Sequence, residues 1–339
     1  MTTVVSGNFS LNFDELDLSS LVAGDITVAT ALQITTSGGG INDNFFGSFQ
    51  YSATGDLTGG TLNRLQETFQ GQLVFDITNT SVPVTTFLQW VVTNDNASAR
   101  AYILAGPDSI SGSSLGDVLR GLGGPDSIAG GSGNDTLDGG TGDDIINGNL
   151  GDDVILGGAG INYLRGDDGN DQITGGIGFD DINGNMGNDT GLGGEGGDWV
   201  VGGKDNDSLL GETGDDIVYG NLGADTCIGG DGDDWVRGGQ DNDTLSGGNG
   251  NDWMSGDRGS DTISGGAGAD IFHTFADAGI DRVIDFSAAE GDRVLLDPGT
   301  AYTVSQVAGD TVVDMGGGAQ LILVGVQMSA LPQGWIYGA

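Results

Sequence analysis

From Gly112 to His273 an apolar side chain returns at every ninth residue, as at Leu119, Ile128, Leu137, Ile146, Ile155, Leu164, Ile173, Ile182, Val200, Leu209, Val218 and Val236. Two residues before each apolar position stands an acidic one, and glycine fills much of the remainder. The stretch divides into 18 nonapeptides without insertion or deletion, opening GSSLGDVLR, GLGGPDSIA, GGSGNDTLD. Such a period predicts a solenoid in which each repeat is one turn and one short strand. Glycines at positions one, two and four permit left-handed or strained backbone, and the residue at position eight points into the core. Strands alternate between two facing sheets, so two repeats make one coil. Nine coils stacked at ~4.8 Å would give roughly 43 Å of parallel β-roll. Gly191 breaks the apolar column.

The flanks carry a different pattern. Before the repeats, residues 1–105 are rich in Thr and Phe, with β-type alternation over Gly71–Asn79 and Thr85–Thr93. Asn96–Ala105 reads as a short helix closed at Gly106. After the repeats, Asp281–Phe286 and Asp292–Leu296 alternate, and an apolar tail runs over Leu321–Ala339. The chain therefore reads as all-β in three parts. These are a small β-rich N-terminal domain for assembly or adhesion (1–105), the β-roll (106–273), and a β-rich cap (274–339) over the open end of the solenoid.

Charge gives the repeat its chemistry. Forty-nine acidic residues face nine basic ones, a formal net charge of −40, which argues against nucleic acid and anionic membranes as partners. No apolar run is long enough to insert across a bilayer. Position six is aspartate in 17 of the 18 repeats: Asp117, Asp126, Asp135, Asp144, Asp153, Asp171, Asp180, Asp189, Asp198, Asp207, Asp216, Asp225, Asp234, Asp243, Asp252, Asp261 and Asp270. Only Asn162 departs from the column. Stacking sets these carboxylates above one another in every second repeat, where they repel unless a cation intervenes. Carboxylate and backbone carbonyl oxygens favour Ca²⁺, and one His and one Cys leave zinc and copper poorly served. Several calcium ions are expected, their binding energy serving as folding energy.

These residues resemble the repeats-in-toxin (RTX) family, whose motif is GGxGxDxUx with U apolar. The likeness covers Gly106–His273, and DRVIDFSAAEGDRVLL near the C-terminus resembles that family's usual ending. The resemblance implies a secreted Gram-negative bacterial protein, exported unfolded by type I secretion with an uncleaved C-terminal signal and folding on extracellular calcium. It carries the ligand role to each position-six aspartate, with a weaker site at Asn162. Asp205 and Asp241 replace the glycine of position four and depart from the motif. Met1–Asn12 lacks the basic flank and apolar stretch of a cleaved signal peptide, in keeping with that route.

Catalytic signals are thin. Gly112–Gly116 fits G-x-S-x-G, but it lies inside a repeat and the Gly content makes such a match expected by chance. His273 is expected to face solvent, and Cys227 occupies a core slot. Asp14, Glu15 and Asp17 are the best glycosidase-like cluster, in a segment small for that purpose. Position seven is more informative, because it should point outward. In alternate repeats it is mostly Thr or Ser; in the others it includes Tyr163, Trp199, Ile217, Trp235 and Trp253. An exposed aromatic ladder predicts an interface. The expected function is a non-enzymatic structural protein of the bacterial cell surface, assembling into a homo-polymer such as a surface layer, matrix or filament. Thr2–Phe13 could donate a strand to a neighbour. The alternatives are a module binding a surface glycan on Trp199, Trp235 and Trp253, and an enzyme with its site in the N-terminal domain.

Overall fold

The computed structural model describes residues 2–6, 25–30, 33–38, 41–51, 57–69 and 72–83 as backbone strands, and residues 106–112 and 114–338 in full. The expected strand Thr85–Thr93, the helix Asn96–Ala105 and the cluster Asp14, Glu15 and Asp17 lie outside the described residues. The described chain is all-β save one 3-10 turn, Met328–Ala330. It separates into two compact units, Met1–Ala159 and Gly160–Ala339.

In the first unit Asp25–Thr30, Gln33–Gly38, Ile41–Tyr51, Leu57–Phe69 and Gln72–Pro83 form an antiparallel meander, each strand pairing with the next. The alternation read at Gly71–Asn79 thus becomes its last strand. Thr2–Ser6 lies antiparallel to Gln72–Pro83 and parallel to Asp108–Ser111. Both its edges are paired within its own chain, so this part of Thr2–Phe13 is not a spare strand for a neighbour. Parallel coils follow with a register of 18 residues: Ile110, Ile128 and Ile146 align on one sheet, and Leu119, Leu137 and Ile155 on the other.

The second unit is built the same way. Asn162–Asp168, Asp180–Met186, Trp199–Lys204, Ile217–Leu222, Trp235–Gln240, Trp253–Arg258 and Ile271–Thr274 stack in parallel on one sheet. Gln172–Ile177, Thr190–Glu195, Ser208–Thr213, Thr226–Asp231, Thr244–Asn249 and Thr262–Ala267 form the other. Except for Ile271–Thr274, each of these strands runs six or seven residues, because the turn glycines also stack and continue the ladder, as Gly230 does on Gly248. Coiling passes His273, where the repeats end: Ile280–Val283 joins one sheet and Arg293–Leu296 the other. The antiparallel strands Thr303–Val307, Asp310–Gly316 and Ala319–Leu323 then finish one sheet, and Ile336–Tyr337 the other. Part of the expected cap is therefore further roll.

The core is the position-eight column, buried throughout in both units, with Cys227 among its members. At Gly191 the column does not leave a void. A β-carbon there would lie 2.9 Å from Val200 Cγ1 and 3.2 Å from Leu209 Cδ2, so the flanking side chains already occupy the space. Toward the C-terminus, Phe272 meets Phe286 (5.8 Å between ring centres), and Phe286 meets Trp335 edge-on (6.3 Å), closing the core with aromatic surface.

Candidate metal centre

All 17 predicted aspartates are buried, as is Asn162. Burial follows from the repeat: position six sits one residue before the strand, with its side chain on the same inner side as position eight. Within each unit a carboxylate reaches across one coil. Asp135 Oδ1 accepts the backbone N–H of Asp117 (2.7 Å), and Asp198 Oδ1 that of Asp180 (2.8 Å). Asp216, Asp234 and Asp252 repeat the contact at 2.7–2.9 Å.

The second oxygen is the chemically informative one. Oδ2 of Asp126, Asp135, Asp180, Asp189, Asp198, Asp207, Asp216, Asp225, Asp234, Asp243, Asp252 and Asp270 is buried and meets no hydrogen-bond donor. It occupies the space that a side chain at position one would fill. A β-carbon on Gly211 would lie 2.3 Å from Asp216 Oδ2 and 2.6 Å from the Gly229 carbonyl oxygen; on Gly139 it would meet Asp144 Oδ2 and the Gly157 carbonyl in the same way. Position one is therefore glycine for want of room, and its φ stays outside the left-handed region. Left-handed backbone belongs to positions two and four. Asn149, Asn185 and Asn221 take it at position two, and Asp205 (φ 73°) and Asp241 (φ 76°) keep it at position four despite replacing glycine.

Burial pushes these acids upward, and for all of them but Asp180 the charge of neighbouring carboxylates adds to it. Asp126, Asp207 and Asp243 rise to about 8 against the ordinary 3.8, Asp135, Asp198 and Asp252 to about 7, and Asp180, Asp189, Asp234 and Asp270 to about 6. The backbone N–H bond to Oδ1 offsets only part of this. A buried carboxylate with one unmatched oxygen beside stacked carbonyls is a donor set for a hard cation. Among the described residues no three acidic, His or Cys side chains converge on one point, so any such ion would draw heavily on the backbone. At Asn162 the side-chain amide donates to Asp180 Oδ1 (2.8 Å), which supplies a proton donor where the other rungs have an acceptor.

Three members of the column escaped the sequence pattern. Asp108 precedes the run and gives its N–H to Asp126 Oδ1 (2.8 Å). Asp281 and Asp292 follow it, Asp292 Oδ1 accepting the Asp270 N–H at 3.0 Å and Asp281 Oδ1 facing the Asp261 N–H at 3.3 Å. Burial and the Asp261 charge hold Asp281 at about 8. Their spacing is 20 and 22 residues instead of 18, but each still precedes a buried valine by two, Val283 and Val294, and that triplet was the available signal.

The position-seven ladder of the second unit runs Tyr163, Asp181, Trp199, Ile217, Trp235, Trp253, Ile271 in direct register. Tyr163, Trp199, Ile217 and Trp235 are exposed, Trp235 the most at 55 %. Trp253 is only half-exposed, because it lies between Trp235 (5.2 Å between ring centres) and His273 (5.1 Å). The one charged rung, Asp181, is paired with Arg165 at 3.0 Å. His273 does not face solvent freely as expected. Its side chain is 16 % exposed, stacked on Trp253 and hydrogen-bonded to Asp297 and Ser255. Cys227 is a buried thiol whose pKa burial raises further, as its core slot implied. Among the described residues no helix is long and apolar enough to cross a membrane.

Comparison with known families matches the RTX calcium-binding nonapeptide repeat (4 copies) at residues 111–146, 130–164, 156–191, 192–227, 228–263 and 246–283, together just over half of the chain. No curated protein matches the sequence. Among solved structures, the extracellular lipase LipA from Serratia marcescens is similar over 68 % of this chain and 40 % of its own, at 17 % identity and a TM-score of 0.30. The AlgE6R3 subunit of the Azotobacter vinelandii mannuronan C5-epimerase is similar over 40 % of this chain and 79 % of its own, at 24 % identity and a TM-score of 0.21.

Proposed function

Because this chain belongs to the RTX calcium-binding nonapeptide repeat family, we propose that it is secreted and works at the bacterial surface as a calcium-folded, non-catalytic structural protein that associates with copies of itself. Calcium, when bound, supplies positive charge to the buried carboxylates. The residues that would hold it are the position-six aspartates, through Oδ2, with backbone carbonyls of the stacked turns. Asp108, Asp281 and Asp292 would extend the same columns. Oδ1 of Asp126, Asp135, Asp144 and Asp153, and of the position-six aspartates from Asp180 to Asp270, is already committed to an N–H of the neighbouring coil, which orients its partner oxygen before any ion arrives.

The observation that carries self-association is the ladder of exposed Tyr163, Trp199, Ile217 and Trp235 on one sheet, its single charge neutralised by Arg165. Large apolar side chains in contiguous register mark interfaces, and aromatic residues dominate their energetics. Burial of the ladder against another copy would remove its apolar surface from water.

Electron microscopy and light scattering, with and without millimolar calcium, test this reading. Calcium should produce β-structure and ordered assemblies, and Trp199→Ser with Trp235→Ser should abolish the assemblies while leaving the circular dichroism intact. Discrete monomers at saturating calcium would overturn self-association and leave the calcium-folded roll standing.

A further inference from the structure

On the outer surface of the second unit lies a groove of about 480 Å³ that the repeat pattern does not explain. It is walled by side chains at positions nine, two and three of successive coils, where Tyr219, Arg237, Gln240, Asp257 and Arg258 come together with Phe275. A continuous polar network holds its floor. Arg237 gives Nε and Nη2 to Asp257 Oδ2 (3.0 and 2.6 Å) and lies over the Tyr219 ring at 4.8 Å. Asp257 Oδ1 accepts the Ser255 hydroxyl at 2.8 Å; Ser255 Oγ meets His273 Nδ1 at 3.3 Å, and His273 Nε2 meets Asp297 Oδ1 at 3.1 Å. Asp257 is buried and takes a left-handed φ of 66°, a conformation a non-glycine residue keeps only when its surroundings hold it.

The order Ser255, His273, Asp297 has the form of a nucleophile, a base and an orienting acid, but it cannot act as one. Ser255 is wholly buried, and its proton goes to Asp257. The network instead fixes the groove's polar groups in place, as a preformed binding site requires.

What remains free describes the ligand. Arg258 is exposed and Arg237 keeps Nη1, so the groove offers donors; Asp297 is 57 % exposed and offers acceptor capacity; Gln240 offers both. An aromatic ring borders them, since Phe275 lines the groove with its centre 6.1 Å from that of His273. An apolar ligand would desolvate these groups without return. A nucleic acid or other strong polyanion would meet Asp257, Asp297 and a −40 chain. A ligand carrying hydroxyls that both donate and accept, together with an apolar ring face, satisfies all of them. We propose that this groove binds an oligosaccharide, laid along the stack of coils, with Arg258, Gln240 and Arg237 Nη1 on its hydroxyls and the Phe275 ring against a sugar face.

The test uses the full chain folded in calcium and titrated with cello-oligosaccharides and chito-oligosaccharides, followed by calorimetry and by Trp fluorescence, to which the neighbouring Trp253 should respond. Arg258→Gln and Phe275→Ala should each weaken binding by about tenfold with circular dichroism and Tm unchanged, consistent with loss of a charged hydrogen-bond donor or a stacking face. Trp199→Ala, on the ladder outside the groove, should bind as the parent does. No binding of either sugar by the parent would overturn the proposal. So would binding that survives the Arg258→Gln, Phe275→Ala double variant, or binding lost with Trp199→Ala alone, which would place the site on the ladder.

Discussion

At the residue scale, glycine serves two separate needs within one nine-residue motif, and substitution should separate them. At position one the obstacle is the aspartate oxygen and a carbonyl from the next coil, at 2.3 and 2.6 Å from a β-carbon on Gly211. Gly211→Ala should therefore displace the Asp216 carboxylate, cost on the order of 1–3 kcal/mol by overpacking, and raise the calcium concentration needed to fold. At position two the obstacles are the left-handed backbone angle and a carbonyl of the preceding coil, since a β-carbon on Gly230 would lie 2.1 Å from the Glu212 carbonyl oxygen. Glu212 sits there at φ 79°, and its charge adds to that felt by Asp198 and Asp216. Glu212→Gly should raise stability, by up to about 1 kcal/mol from relief of the left-handed conformation. Thermal melts at fixed calcium should show opposite signs for these adjacent residues; a Gly211→Ala chain as stable as its parent would mean that position one has room for a side chain.

At the element scale, each strand is stabilised by its place in a column rather than by its own sequence. Gly191 looks like a defect to be repaired with an apolar residue, yet Val200 and Leu209 have closed over it. Gly191→Val should destabilise by about 1–3 kcal/mol, although it restores the apolar period. A rise in Tm would show that the column holds a real void. The C-terminal strands close the second unit's core through Phe286 and Trp335 around Phe272. Phe286→Ala should cost about 3 kcal/mol and loosen the last coils first, which hydrogen exchange over Ile271–Leu296 would detect as selective loss of protection.

At the scale of the whole molecule, the buried aspartates titrate together, and their shifts set the sign of the pH dependence. A carboxyl raised from 3.8 to about 6–8 in the folded chain binds its proton more tightly folded than unfolded. Without a cation, the folded state is therefore favoured at acid pH and loses stability as pH climbs from about 4 through 8. Calcium must reverse this, because it displaces those protons and its affinity grows as they leave. In a chelator, β-structure followed by circular dichroism should increase from pH 8 to pH 5; in millimolar calcium it should persist at pH 8, with Tm rising with calcium concentration. A chelated chain most stable at pH 8 would contradict the arrangement of the aspartate columns.

What the amino-acid sequence determined alone was everything that recurs. The parallel roll, the 18-residue register, the stacked Asp column and the apolar column were all legible, since a repeat that cannot bury its own face must stack on its copies. Sequence also identified which side chains leave the sheet, and Tyr163, Trp199, Ile217 and Trp235 are where position seven put them. Tertiary structure decided whatever depends on unequal spacing or on neighbours across coils. Asp281 and Asp292 enter the column at offsets of 20 and 22, because turns absorb the extra residues without disturbing the strands. Trp253 is covered on its second side by the ring of His273, a contact the repeat does not contain. The network from Arg237 to Asp297 joins residues 2, 18, 20 and 24 apart. No single period contains those distances, and only the stacking of coils brings the five side chains into one network.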